Sequence, residues 1–149
     1  MATVLKVSDA ASLAMHTMVL LALKPDRVLS THEIASCLQV SEAHLSKVLQ
    51  RLTREGLVKS VRGPRGGFKL GKTHRDLTLL DVYEAIEGRL ESSECLLESR
   101  SCAGDKCILG FLLQSVNRQV RDYLTGTRLS ELTDVYRRKD HAEQVNHPN

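Results

Sequence analysis

The sequence predicts a mainly α fold with one small β-hairpin: a winged helix-turn-helix followed by a long C-terminal dimerisation helix. Three observations lead there. Apolar residues recur at helical spacing in successive short segments as far as Glu87. Two short apolar runs flank a Gly/Pro turn at Gly63–Gly67, placed between two of those segments. A stripe repeating every fourth residue then runs from Ile108 to Leu124.

Taken in order, Ser8 caps a first helix that runs to about Lys24 and ends at Pro25-Asp26. Its Leu13, Met15, Met18, Val19, Ala22 and Leu23 make a wide apolar face. Ser30 followed by Glu33 has the spacing of a capping box, which predicts a short helix over about Thr31–Leu38. Ser41 caps a third helix ending near Glu55, with Leu45, Val48, Leu49 and Leu52 on its inward face and Gly56 as a left-handed stop. The runs Leu57–Val61 and Phe68–Leu70 flank Arg62-Gly63-Pro64-Arg65-Gly66-Gly67 and read as a hairpin. A fourth helix over about Leu79–Glu87 starts from Thr78 or Thr73. The polar stretch Gly88–Lys106 has no helical period. From Cys107 to Thr125 that period returns, a short last helix covers about Ser130–Arg138, and the polar tail reads as disordered.

Length and composition narrow the function classes. A chain of 149 residues suits one small domain plus an added element. Aromatics make up only 3% with no Trp, which argues against an aromatic platform for stacking bases. The apolar run Leu13–Leu23 is interrupted by His16 and Thr17, has no basic leader and is too short to span a bilayer. The expected location is therefore the cytoplasm, with no membrane partner and with thiols kept reduced. No enzyme is expected: no nucleophile–base pattern or His-based metal box occurs. Gly63–Gly67 lacks the Lys-Ser/Thr ending of a phosphate loop and leads into a strand.

Charge is more telling. Between Ser41 and Arg75 stand nine basic residues, namely Lys47, Arg51, Arg54, Lys59, Arg62, Arg65, Lys69, Lys72 and Arg75. Only Glu42 and Glu55 oppose them, so this segment carries +7 and leaves −4 for the rest of a chain whose formal net charge is +3. Such focusing is the electrostatic footprint of phosphate binding. The third helix offers Ala43, His44, Ser46, Lys47 and Gln50, with Arg51 following, and the N-terminal part of such a helix reaches base edges in a major groove. Arg62 and Arg65 flank a glycine turn suited to a minor groove or to phosphates. The expected partner is a double-stranded DNA operator. A solvated basic face on a protein-binding winged helix is the alternative that charge alone leaves open.

Several of these segments closely resemble the IscR/NsrR family of bacterial regulators. They are Leu45-Ser46-Lys47-Val48-Leu49-Gln50, Gly56-Leu57-Val58 and Ser60-Val61-Arg62-Gly63-Pro64-Arg65-Gly66-Gly67-Phe68, with Cys102-Ala103-Gly104-Asp105-Lys106-Cys107 further on. The resemblance runs from about Ser8 to Tyr136. It implies a homodimer on an imperfect palindrome that represses transcription and senses through an iron–sulfur cluster. The domain division that follows is residues 1–88 for DNA binding, 89–106 for a cysteine cluster-binding loop, 107–138 for the dimerisation and terminal helices, and 139–149 for the tail.

Cys95, Cys102 and Cys107 stand at C-x6-C-x4-C. Three thiolates are one short of the four ligands of a cluster or a closed zinc site, and the spacing is too wide for a zinc knuckle. Soft thiolates favour a [2Fe–2S] or [4Fe–4S] cluster or zinc over calcium or magnesium. An incomplete set leaves a weaker fourth ligand that a small signal such as nitric oxide or oxygen can displace. Free, redox-active or vestigial thiols are the alternative, as in a regulator of the same fold that responds by thiol oxidation or protein contact. IscR-like relatives place a His soon after the third Cys, where this chain has Ile108, Leu109 and Gly110. NsrR-like relatives use an Asp near the chain start, given by the partner subunit, and Asp9 stands at the matching position. Asp9 reads equally as a first-turn acid favoured by the helix dipole. Cys37, beside Ile34 and Leu38, reads as a small core residue, and His16 as a core or interface residue.

The stripe of Ile108, Leu112, Val116, Val120 and Leu124, with Leu109 and Leu113 alongside, is too long for one small winged domain to hide. A partner's helix is the expected cover, with packing on the first helix of the same chain as the alternative. Because the cysteine loop feeds this helix, loss of a ligand there is expected to shift the spacing of the two DNA-reading heads.

Overall fold

The computed structural model describes residues 7–71, 76–91, 93, 95–97 and 101–137. Helix α1 (Asp9–Leu23) begins where Ser8 Oγ accepts from the Ala11 amide at 3.0 Å. Thr17 through Ala22 are all buried, so the second half of α1 is enclosed on every side instead of presenting one face. It packs against α2 (Thr31–Leu38), α3 (Glu42–Arg54) and α4 (Leu79–Glu87), which makes it the axis of the core. The hydroxyl of Thr17 is buried there with no hydrogen-bond partner among the described residues.

The helix-turn-helix follows from local chemistry. Ser30 and Glu33 form the capping box: Ser30 Oγ accepts from the Glu33 amide at 3.1 Å and Glu33 accepts from the Ser30 amide at 2.8 Å. That amide bond to its carboxylate is the main reason the Glu33 carboxyl titrates below its ordinary value. Gln39 closes α2 in the left-handed conformation at φ 57°, a conformation no other non-glycine among the described residues adopts. Two residues later Ser41 caps α3 through the His44 amide. Leu45, Val48, Leu49 and Leu52 are all buried and fix α3 on the core. Gly56 (φ 72°) ends it as expected.

Strands β1 (Val58–Val61) and β2 (Gly67–Leu70) pair antiparallel, Val58 opposite Leu70 and Val61 opposite Gly67. A bridge not read from the sequence joins this wing to the body: the Leu29 amide donates to Phe68 O at 2.9 Å, and the Phe68 amide to Leu29 O at 2.8 Å. Gly67 is required beside it, because an added Cβ would lie 2.2 Å from the Leu29 carbonyl oxygen.

The C-terminal part departs from expectation. The long helix expected from Cys107 begins instead at Leu112, as α5 (Leu112–Gly126). Gly110 takes φ 54° and breaks the run, so Cys107 and Ile108 precede the helix in a chain of tight turns. No side chain of α5 is buried. The chain then returns to the core: Leu79 donates to Thr127 O and Leu129 to Leu77 O, both at 3.0 Å, and Leu129 is fully buried. In place of the last helix there is a 3-10 turn, Leu129–Glu131, followed by helical backbone over 134–137. Thr73, Lys72, Arg75, Arg138 and the expected disordered tail lie outside the described residues. No helix among the described residues is long and apolar enough to cross a membrane.

Candidate nucleic-acid interface and cysteine loop

Burying Leu45, Val48, Leu49 and Leu52 turns the opposite face of α3 outward. Ala43, Lys47 and Gln50 are exposed there, while His44 and Ser46 are half-buried. The exposed start of α3 also carries Glu42, whose Oε1 lies 2.7 Å from His32 Nδ1 at the start of α2. This pair braces the two helices of the motif. It was not foreseen, because nothing local links residues ten apart until both caps have set the helices. At the wing, Arg62 and Arg65 are exposed on either side of Gly63, which takes φ 116° in open space. Among the described residues no ion pair engages Lys47, Arg54, Lys59, Arg62 or Arg65. Their charge is thus available to an anionic partner.

Arg51 is placed differently. One guanidinium nitrogen donates to the backbone carbonyl of Ile86 in the last turn of α4. That carbonyl is one of those a helix end leaves unsatisfied, and a cation there also favours the helix dipole.

The cysteines are not brought together. Cys95 is half-buried, with its amide on Ser93 Oγ at 3.2 Å and its sulfur accepting from the Leu97 amide at 3.4 Å. Cys102 and Cys107 are exposed, and no cysteine is in a disulfide. Among the described residues no group of three or more His, Cys, Asp or Glu side chains could hold a metal ion. Asp9 is exposed in the first turn of α1. The donor chemistry of three soft thiolates suits a cluster or zinc. One chain in this conformation does not assemble the site.

Asp9 does border a cavity of about 620 Å³ shared with His16, Cys37, His44 and Tyr136. Cys37 packs on the core as a half-buried residue of that cavity wall. His16 is exposed, with Nδ1 at 2.7 Å from Ser12 O, so it is not a core residue. Burial, with a smaller contribution from the neighbouring Cys37, pushes the Tyr136 phenol up to about 12.

Comparison with known proteins bears on the whole chain. Residues 7–135 match the Rrf2 family, described as iron-dependent transcriptional regulators. An HTH-type transcriptional regulator of Aquifex aeolicus is 32% identical over 131 residues, covering 86% of this chain and 91% of that one. The solved structure of CymR, the global cysteine regulator of B. subtilis, superposes with a TM-score of 0.74 at 29% identity, over 88% of this chain and 98% of that one. T. potens IscR superposes with a TM-score of 0.68 at 25% identity, over 98% and 94%.

Proposed function

The chain belongs to the Rrf2 family of DNA-binding transcriptional regulators, and from that premise we propose that it is a homodimeric repressor governed by a cysteine-ligated iron–sulfur cluster. In this reading Ala43, His44, Ser46, Lys47 and Gln50 face the major groove, and Arg62 and Arg65 engage phosphates or the adjacent minor groove. Support comes from the unpaired charge on α3 and the wing.

The second copy covers α5 and the turns that lead into it. Ile108 and Phe111 before the helix are 90% and 83% exposed and Leu112 at its start 59%, an apolar surface that a lone chain leaves in water. The two-fold axis of such a dimer would set the separation of the two reading helices.

The observation that carries the sensing role is three thiols free of disulfides in one loop, Cys95, Cys102 and Cys107, two of them exposed. These would hold the cluster, with Asp9 given by the partner subunit as a weaker fourth ligand. When bound, the cluster supplies a redox- and nitric-oxide-reactive centre. The chain's own part is to hold the thiolates in a loop that leads directly into α5. Purification without oxygen, followed by iron and sulfide analysis and a visible absorption spectrum, tests this; a colourless, iron-free protein overturns it.

A cluster-free reading is favoured by a specific observation, the separation of the three cysteines from any common centre. Here the same fold responds by thiol oxidation or protein contact. It predicts that iron-free protein retains a DNA affinity that changes with peroxide and recovers with dithiothreitol.

A further inference from the structure

Between Ile86, in the last turn of α4, and Ser93, the described residues collect hydrogen bonds from four helices. Ser8, the cap of α1, donates to the Glu87 carboxylate. Arg51 of α3 donates to Ile86 O. Glu84 of α4 accepts from the Leu90 amide at 2.9 Å. From α5, Arg121 donates to Leu90 O, and Asn117 Nδ2 donates to Ser93 O at 2.9 Å. Gly88, at φ 82°, lets the strap turn out of α4 between the two arginine contacts. The reading helix and the helix assigned to the dimer are therefore tied to one short strap, on backbone carbonyls four residues apart, immediately before the first loop cysteine.

We propose that Arg51 is a positioning residue that ties the reading helix to the root of the cysteine loop, so that rearrangement of the loop reaches α3 through residues 86–93. The proposal rests on the reading of that loop as the input. A charge-assisted donor to a carbonyl is directional and short-ranged. Displacing the strap either drags α3 with it or breaks the bond and releases α3, and both change how Lys47 and Gln50 meet a groove. Arg51 also stands in the last turn of α3, away from the N-terminal part that reads bases.

The test uses the full chain purified without oxygen and a duplex selected by the wild-type protein from a random pool. Affinity and its salt dependence are measured before and after a chelator strips the loop. The two states of the wild type are expected to differ by about 5-fold or more. Arg51→Gln is expected to bring that ratio within about twofold while leaving the slope of log affinity against log salt unchanged. Arg51→Lys keeps a cationic donor and is expected to restore part of the ratio. It also serves if the Gln variant fails to fold. An unchanged ratio overturns the proposal, and a slope reduced by about 1 with the ratio intact makes Arg51 a phosphate contact instead.

If the wild type itself shows no difference between states, the sensing reading fails and the tether is judged by hydrogen exchange. Arg121→Gln is expected to speed amide exchange in residues 49–54 when Arg51 is present and not in the Arg51→Gln background. No transmission from Arg121 to α3 overturns the tether, whatever the loop binds.

Discussion

Replacing Gly67 by alanine drives a methyl group into backbone, not into a side chain that could swing away. An added Cβ would lie 2.2 Å from Leu29 O, 2.6 Å from Leu29 C and 2.8 Å from Ser30 N. Moving Ser30 would disturb the capping box that starts α2, so the easier relief is to open the Leu29–Phe68 bridge. That bridge holds two hydrogen bonds, of 2.9 and 2.8 Å. At about 0.5–1.5 kcal/mol net each, plus residual backbone strain, Gly67→Ala should cost about 2–4 kcal/mol. In a chain of this size that lowers Tm by about 5–15 °C. Thermal and urea unfolding followed by circular dichroism read the loss, and hydrogen exchange locates it at the Leu29 and Phe68 amides. Gly63→Ala is the control: nothing lies within 4 Å of its added Cβ, so it feels only the strain of φ 116° and should leave both amides protected. DNA affinity should fall in the Gly67 variant beyond what lost stability explains, because this bridge helps hold the wing against the body. A Gly67→Ala protein melting within about 2 °C of wild type would refute the reasoning.

Other outcomes follow from the same geometry. Arg62→Gln with Arg65→Gln should lower the slope of log affinity against log salt by about 1.8 if both meet phosphates, and an unchanged slope would remove the wing from the interface. Leu112→Glu, at a position already 59% exposed, should leave the fold intact yet give a monomer in sedimentation equilibrium and weaken operator binding; a stable dimer would rule out α5 as its seam. Thr17→Val removes a buried hydroxyl that lacks a partner among the described residues, so the unfolding free energy should hold or rise by up to about 1 kcal/mol; a clear loss would mean the hydroxyl is satisfied. Tyr136 should titrate near pH 12 by ultraviolet difference absorbance, against an unfolded value of 10.0. A phenol whose folded pKa is raised stabilises fully below pH 10 and loses that contribution as pH rises toward 12, so Tyr136→Phe should narrow the alkaline loss of stability.

The first half of the fold was legible because its signals are local. Ser8, Ser30 and Ser41 each cap the helix the sequence assigns to them, and Thr78, one of the two candidates for α4, caps that helix, since a side-chain oxygen three residues ahead of an unsatisfied amide needs no tertiary context. The start of α5 differs from the sequence expectation for the converse reason. The stripe from Ile108 to Leu124 measures apolar spacing, whereas Gly110 sets the backbone, and the left-handed turn there ends the pattern's authority over residues 107–111. Gly63 and Gly67 look alike within one turn. Only the Leu29 backbone, remote in sequence, shows that one permits a conformation and the other permits contact. The cysteines carried their donor chemistry in the sequence and nothing of their geometry, because a loop without a helical or strand period has no internal ruler.

Arginine shows most clearly where counting stops and structure takes over. A guanidinium in solvent, such as Arg62 or Arg65, keeps its hydration and counterion atmosphere until phosphate displaces them, so its contribution to binding falls steeply with salt. Arg51 commits one nitrogen to the Ile86 carbonyl, a directional contact that ties α3 to the last turn of α4. The basic segment between Ser41 and Arg75 therefore contains two kinds of charge. Its +7 includes at least one cation that also donates to the protein's own backbone. Mutating basic residues one at a time should accordingly give two classes, one that changes the salt slope and one that changes the response to the loop, and Arg51 is expected in the second.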